Sequence, residues 1–197
     1  MATVSRGIIV EPTAQICQGD IFKDVKYTYI SAVYDDTVEV VEYTFPMAII
    51  ISQACDVDSM SRLVDMKSGK VNKFMPSILL CPIYDKEEAK KMTHIDDAFT
   101  ELKLSKIVEK DKPLFTSKEF DVVTNDWHYR FHSLRIVEEK KGNTLLENVI
   151  IDFKHYFTVP AAYLYANRNN RFCHLDSLFA EQVTLKFATF LSRVAIP

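Results

Sequence analysis

Glycine is scarce in this sequence, with 4 among 197 residues, and no apolar run approaches the roughly 20 residues of a membrane-spanning helix. Neither sign of charge dominates, since 24 Lys and Arg stand against 27 Asp and Glu, for a net charge of −3. The composition therefore carries no bulk basic signal for nucleic acid. With 48% hydrophobic and 12% aromatic residues, it is instead typical of a folded globular chain.

The cysteines exclude further classes of protein. Cys17, Cys55, Cys81 and Cys173 are scattered, without a CxxC pair or the spacing of a zinc finger. The first residues lack the apolar stretch of a secretory signal peptide. We therefore expect a cytoplasmic protein with reduced cysteines, no metal ion or other cofactor and no association with a membrane, although an even count also allows two disulfides.

Aromatic and β-branched residues predict at least five strands. A strand, a turn at Asp35-Asp36 and a second strand cover residues 20–45. A continuous apolar strand at 47–52 indicates burial on both faces. Further strands are predicted at 78–84, within "NDWHYRFHSLRIVEE" and within "LLENVIIDF", with Gly142 in the turn between the last two.

Two segments have helical periodicity. One runs from Ile95 to Ile107, and the other is "DSLFAEQVTLKFATFLSRV", which Asp176 or Ser177 caps. The strands follow one another largely without alternating helices, which favours an α+β fold with a curled antiparallel sheet. A small barrel is the economical way to remove the edges of such a sheet.

The order of these segments resembles the MazF/PemK family of toxin endoribonucleases. The matching blocks are Gln18-Gly19-Asp20-Ile21-Phe22, Pro46 to Ser52, Cys81-Pro82-Ile83-Tyr84, and Val149 to His155 followed by the last helix. The closing residues and "SQACD" also resemble a divergent branch of uncharacterised bacterial proteins.

The resemblance implies a fold and a setting. The fold is α+β, an SH3-like, MazF/PemK-type curled antiparallel β-barrel with a helical insertion and a C-terminal helix. A single domain spans 1–197, with insertions at about 24–43 (a hairpin) and 85–146 (a helix plus strands). The setting is a bacterial toxin–antitoxin or phage-defence system. The implied partner is an antitoxin-like protein, another defence component or RNA, and a homodimer is also implied.

Two residues depart from the family pattern. Phe45 stands where the ribonucleases have an arginine, and Tyr84 stands where they have a threonine. Cleavage of RNA through its 2′-hydroxyl needs a proton acceptor, a proton donor and a positive group, and phenylalanine supplies none of them. We therefore predict a catalytically altered barrel that acts as a protein- or nucleic-acid-binding module, with no guanidinium beside Tyr84.

The alternative is a metal-independent endoribonuclease with a relocated active site. If residues 127–132 form a strand, its side chains alternate, so that His128, Arg130 and His132 share one face and three aromatic rings share the other. Such a row pairs an acid or base with a phosphate-binding cation. His155 and Tyr84 complete this site. The structural alternative is an outer strand with the rings in the core and the bases in solvent.

The end of the 47–52 strand supplies candidate binding residues. Ser52, Gln53, Cys55 and Asp56 follow the apolar run directly. As a nucleophile, Cys55 would need a base such as His155, and neighbouring carboxylates oppose its ionisation. The pattern favours a structural role, with Cys55 as a small buried filler and Asp56 ending the strand. A redox-sensing thiol at Cys55 is a third alternative.

Basic residues concentrate towards the C-terminus. Residues 128–197 hold 9 Lys and Arg against 6 Asp and Glu, a net charge of +3. Lys154, Arg168 and Arg171 are therefore candidates for a patch that binds RNA or an acidic partner, together with Arg130 and Arg135. The alternative is a set of scattered surface bases.

Overall fold

The computed structural model describes residues 3–11, 14–65, 74–91, 116–138 and 141–193. The strands are β1 (Thr3–Ile8), β2 (Asp20–Val33), β3 (Val38–Ile50), β4 (Ser77–Asp85), β5 (Phe131–Glu138), β6 (Thr144–Asp152), β7 (Phe157–Pro160) and β8 (Arg171–Leu175). The helices are α1 (Ala54–Asp65), α2 (Lys86–Lys91), α3 (Ser117–Thr124), α4 (Ala161–Ala166) and α5 (Ser177–Leu191), with 3-10 turns at Phe153–His155 and Arg168–Asn170.

The described strands form one sheet in the order β3-β2-β8-β1-β5-β6-β4-β7. Because β3 also pairs with β4, the sheet is partly ring-like, and β7 lies along the same edge of β4 as β6. The pairing of β1 with β5 is parallel and the other pairings in the described chain are antiparallel. The sequence prediction of an α+β fold is confirmed, and the predicted curled antiparallel sheet is found as a mostly antiparallel, partly ring-like sheet that contains one parallel pair.

The apolar run of β3 supplies two hydrophobic cores, one on each face of the sheet. Ile49 packs with Ile21, Cys81 and residues of α5, whereas Ala48 and Ile50 pack in a second cluster. Successive side chains of a strand point to opposite faces, so a strand buried on both sides reads as an uninterrupted apolar run. The predicted burial of both faces of the strand at 47–52 has this physical reason. Ala48, Ile49 and Ile50 are all 0% exposed.

The helices cover these two faces. Helix α5 packs Ala180, Val183 and Phe187 onto the first face, and we call this the α5 cluster. The second cluster receives residues from the other four helices of the described chain, which are Val57, Met60, Ala89, Phe120, Val123, Ala161 and Leu164. Asp176 caps α5 as the sequence predicts, since its Oδ1 accepts a hydrogen bond from the Leu178 N–H at 3.1 Å.

Three local predictions need comment. The residues after Ser52 enter helix α1, so Asp56, which the sequence predicts to end the strand, lies in the first turn of a helix. Strand β5 begins at Phe131, so the predicted strand over 127–130 is wrong. The predicted helix at 95–107 lies outside the described residues. No described helix is long and apolar enough to cross a bilayer.

Candidate functional site

The carboxylate of Asp152 is the centre of the most connected polar cluster on the second face of the sheet. It accepts hydrogen bonds from Arg130 Nε at 2.8 Å and Nη2 at 2.6 Å. His155 Nδ1 lies 2.7 Å from the same carboxylate, and the Lys154 N–H donates to it at 3.0 Å. Asp152 is fully buried, and these donors supply the partners that a buried carboxylate requires.

Strand pairing explains why these side chains meet. Asp152 is the last residue of β6 and pairs with Phe131 at the start of β5. Arg130 therefore sits directly before the paired position, and the Phe153 N–H donates to its carbonyl oxygen at 3.0 Å. His155 follows three residues later in a 3-10 turn, which returns its ring to the carboxylate.

Tyr84 lies on the same face and belongs to the second cluster. Burial raises the pKa of its phenol far above the usual range, and Tyr43 and Asp152 add to this rise, whereas the charge of Arg130 opposes it. A guanidinium therefore acts on Tyr84, contrary to our expectation from the sequence. That guanidinium is already paired with Asp152, and the phenol is only 2% exposed.

A second carboxylate, Asp126, holds His132. The Nδ1 of His132 lies 2.9 Å and 3.0 Å from the two carboxylate oxygens, the Ser133 N–H donates to one of them at 3.0 Å, and Lys186 of α5 contacts it as well. Burial favours the neutral acid, but the hydrogen bonds from His132, Lys186 and Ser133 prevail and lower the pKa of Asp126 to about 2. His132 is 5% exposed, so this cluster ties α5 to β5.

The predicted row of His128, Arg130 and His132 does not form. His132 faces α5, where Lys186 Nζ lies 3.3 Å from its Nδ1, whereas Arg130 contacts Asp152 on the other face. Residues 125–130 form a turn instead of a strand, because the Asp126 and Trp127 N–H groups bond back to α3 and Asp126 has a positive φ of 63°. The Arg130 N–H closes the turn on His128 Nδ1 at 3.1 Å.

This turn, α5 and Tyr156, which follows the 3-10 turn at Phe153–His155, contribute to an aromatic surface, which we define as Trp127, His128, Tyr129, Tyr156, Phe190 and Arg193. Trp127 is 78% exposed, and Tyr129 and Tyr156 are about half exposed. His128 stacks on Tyr129 with 4.6 Å between ring centroids, and the Arg193 guanidinium lies 3.1 Å from the Tyr129 centroid. Burial, together with Arg130 and Arg193, lowers the pKa of His128.

Phe45, which stands where the resemblance predicts an arginine, belongs to an aromatic cluster. Its ring stacks on Phe157 with 4.2 Å between centroids and meets Tyr43 edge-on at 4.7 Å. Tyr27 contacts both Phe45 and Phe157. Offset and edge-to-face pairs of this kind stabilise a core, so the position has a packing role.

The candidate binding residues after β3 lie just before helix α1 and in its first turn. Ser52 is used structurally, since its Oγ accepts the Leu79 N–H at 2.9 Å. Gln53, Cys55 and Asp56 are exposed. The interpretation of Cys55 as a buried filler is therefore wrong, because the chain turns into α1 here and its first turn faces solvent.

The basic candidates are not gathered into one patch. Arg171 is buried, where it donates to Asp20 Oδ2 at 3.0 Å and to backbone carbonyls of Glu11, Ala14 and Gln15. Arg168 lies over the ring of Tyr165 at 4.8 Å. Lys154 is exposed beside His155 and Tyr156. Lys154 is therefore the predicted binding residue that lies next to the aromatic surface in the chain. Two candidate catalytic residues, His128 and His155, also lie at or next to this surface.

Sequence reasoning missed the two carboxylates that organise this region. Asp152 directly follows a buried apolar run, a position where an acid needs an internal partner. Asn125-Asp126 is a turn signal that argues against a strand. Lys186 carries no comparable signal, since a lysine on a helix is ordinarily a solvent-exposed residue.

The described residues contain no group of three or more His, Cys, Asp and Glu side chains placed to hold a metal ion, and all four cysteines are free. No family model matches the chain, and neither a curated protein nor a solved structure matches it.

Proposed function

We propose that this protein is a catalytically altered MazF/PemK-like barrel that binds single-stranded RNA without cleaving it. The observation that carries the proposal is the division between two groups of side chains. Arg130 and His155 are held on the buried carboxylate of Asp152 and His132 on that of Asp126, whereas Trp127 and its neighbours present aromatic rings beside positive charge.

Cleavage is disfavoured by how the candidate groups are used. Arg130 donates two hydrogen bonds to Asp152, so the carboxylate already neutralises the charge that would bind a phosphate. His132 is buried against Asp126, and Tyr84 is buried with a raised pKa, which suits neither to proton transfer with a solvent-borne substrate.

Binding is favoured by the aromatic surface. Among the rings of this surface Trp127 is the most exposed, and the half-exposed Tyr156 meets Phe187 edge-on at 5.5 Å between centroids. Bases stack on such rings irrespective of sequence, while Arg193 and Lys154 supply charge for phosphates. This arrangement suits unpaired nucleotides, whose bases are free to stack.

The family and the setting belong to the proposal as well. The ring-like sheet, the start of β2 at Asp20 and the last helix α5 are compatible with the MazF/PemK-type order of elements. The toxin–antitoxin or phage-defence setting, the cytoplasmic location and an antitoxin-like partner follow from the resemblance and the composition alone.

The single tryptophan makes a direct test possible. Trp127 is the only tryptophan in the chain and belongs to the aromatic surface, so stacking of a base should quench the intrinsic fluorescence. An unlabelled single-stranded oligonucleotide is titrated into the wild-type protein. Fluorescence anisotropy of a labelled copy then gives the affinities of wild type, Trp127→Ala and Tyr34→Ala, the last being an exposed aromatic at the tip of the β2–β3 hairpin.

We expect quenching with the wild type and roughly 5- to 150-fold weaker binding for Trp127→Ala, because one stacked base contributes about 1–3 kcal/mol. Tyr34→Ala should bind as tightly as the wild type. Quenching without any loss of affinity in Trp127→Ala, or no binding by either protein at low salt, contradicts the proposal. Capture of a protein in place of RNA would assign the same surface to another partner.

One observation favours endoribonuclease activity as a second candidate function. Asp152 holds the ring of His155 through Nδ1 at 2.7 Å, and the side chain of His155 is 28% exposed. A His–Asp pair beside an arginine is an arrangement that serves general acid–base catalysis. Cleavage of RNA that His155→Ala abolishes, with RNA affinity unchanged, would establish this second function.

A further inference from the structure

Arg193 lies over the ring of Tyr129, two residues after the end of α5. Its guanidinium carbon is 3.1 Å from the ring centroid. A guanidinium that stood upright at this distance would push a nitrogen into the ring, so its plane lies nearly parallel to the ring. In this stacked geometry arginine and an aromatic ring attract each other both through charge and through the contact of two flat surfaces.

Both faces of the Tyr129 ring are covered. The ring of His128 stacks on Tyr129 with 4.6 Å between centroids and 22° between the planes. At this separation His128 cannot share a face with a guanidinium that lies over the centroid, so the two groups cover opposite faces. A base therefore cannot stack on Tyr129 itself, and the stack ends in the outer face of the Arg193 guanidinium.

The outer face of Arg193 has the properties of a stacking platform. Arg193 is exposed, and the contact with Tyr129 sets the orientation of its guanidinium plane. Unpaired bases of RNA stack on guanidinium planes as they do on aromatic rings. The N–H groups point outward within the plane, where a phosphate can accept them while a base covers the face. Because Tyr129 already holds the side chain, binding costs little additional side-chain entropy.

We propose that Arg193 is a second stacking platform of the aromatic surface. The surface then holds two bases of one RNA strand, the first on the 78% exposed indole of Trp127 and the second on the outer face of Arg193. The inference rests on the proposed RNA binding and gives Arg193 a role beyond its charge. The ligand class is accordingly a segment with at least two unpaired nucleotides, rather than a mononucleotide or a duplex.

Replacing Arg193 by lysine separates the flat surface from the charge. Arg193→Lys keeps one positive charge but has no plane on which a base can stack. Arg6→Lys is the matched control, because Arg6 is exposed and its carbonyl oxygen accepts the Asp176 N–H at the start of α5. The 15 residues of α5 place that start about 22 Å from the end near Arg193.

Fluorescence anisotropy of a short labelled oligouridylate, measured over a series of salt concentrations, gives the affinities, and far-UV circular dichroism establishes that each variant is folded. Arg193→Lys should bind roughly 5- to 150-fold more weakly than the wild type, because it loses one stacked base. The slope of log affinity against log salt should not change, since the charge is kept. Arg6→Lys should match the wild type in both respects.

Two further measurements distinguish stacking of a second base from other roles. Combining Arg193→Lys with Trp127→Ala should multiply the two losses, as expected for two bases bound at separate places. An abasic oligonucleotide of the same length should bind equally to the wild type and to Arg193→Lys, because it has no base to stack.

Wild-type affinity in Arg193→Lys overturns the inference, since Arg193 would then act through its charge alone. Losses that do not multiply also overturn it, because Trp127 and Arg193 would hold one base together. A loss that persists on the abasic oligonucleotide assigns Arg193 to the RNA backbone and overturns it as well. These three results leave the proposed function standing, whereas no RNA binding by the wild type at low salt contradicts the proposed function and this inference with it.

Discussion

Asp152 binds Arg130 through both of its carboxylate oxygens, at 2.8 Å from Nε and 2.6 Å from Nη2. The carboxylate is fully buried, and the guanidinium side chain is 14% exposed. The contact therefore neutralises Arg130 within the fold, and the proposed absence of cleavage rests on that pairing.

Neutralising Asp152 should destabilise the protein strongly. In Asp152→Asn the mostly buried charge of Arg130 loses its counter-ion, which costs about 3–5 kcal/mol in the free energy of unfolding. Urea denaturation followed by circular dichroism measures this loss. Glu42→Gln breaks the exposed pair with Lys26 and serves as the control, for which we expect no measurable change. Equal urea midpoints for the two variants would contradict the assigned role.

The Asp126 cluster should produce a pH dependence of stability in the acid range. The pKa of Asp126 is lowered from 3.8 to about 2 in the folded state, so its carboxylate stabilises the fold above pH 3.8. This contribution is lost as the pH falls through about 2. The difference in Tm between wild type and Asp126→Asn should therefore be largest above pH 4 and shrink towards pH 2.

The asparagine variant is suited to this test because asparagine tolerates the positive φ of 63° at this position. Asp36→Asn, in the exposed turn of the β2–β3 hairpin, provides the comparison. A difference in Tm between wild type and Asp126→Asn that stays constant from pH 6 to pH 2 would show that the hydrogen bonds to Asp126 do not depend on its charge.

Replacing two glycines that have positive φ by alanine should cost different amounts of folding stability. A Cβ on Gly142 meets nothing within 4 Å, so Gly142→Ala should cost only the backbone strain of about 1–2 kcal/mol. A Cβ on Gly19 would lie 2.6 Å from the Ala180 Cβ of α5, which adds an overpacking cost of about 1–3 kcal/mol. Denaturant titrations of both variants check this order, and equal losses would argue against close packing of β2 on α5.

The thiols should react in an order that follows burial. Cys55 is exposed, burial raises the pKa of the half-buried Cys17 thiol, and Cys81 and Cys173 are buried in the α5 cluster. A thiol-reactive dye should therefore label Cys55 first in the native protein and reach Cys81 and Cys173 only on unfolding. Cys55→Ser should remove the first phase. Early labelling that survives this substitution would contradict the placement of α1.

The sequence predicts strands well where burial is continuous and poorly where polar side chains decide the local conformation. The uninterrupted apolar run Ala48–Ile50 directly indicates a strand that is buried on both faces of the sheet. In contrast, the alternation at 127–132 resembles a strand, but the Asp126 carboxylate bonds to Ser133 N–H and His132 and holds the preceding residues in a turn. Such a partnership is tertiary, so periodicity does not report it.

The same contrast holds for the candidate site, where residue types are readable from the sequence and their tertiary partners are not. His128, Arg130 and His155 are identifiable from residue type, because imidazoles and guanidiniums are the usual acid, base and phosphate-binding groups. Their partner Asp152 decides what they do, and its contacts depend on the pairing of β5 with β6. The short strand β1 and its parallel pairing with β5 were also missed, because the pairing is set by distant residues.

The fate of a labelled RNA in the complex tests the account most directly. A single-stranded RNA labelled at one end is incubated with saturating protein and then resolved on a denaturing gel, beside RNA incubated with Trp127→Ala. The account predicts full-length RNA in both lanes, together with binding by the wild type. Shortened RNA that appears with purified wild type and disappears with His155→Ala would show that the groups on Asp152 still cleave.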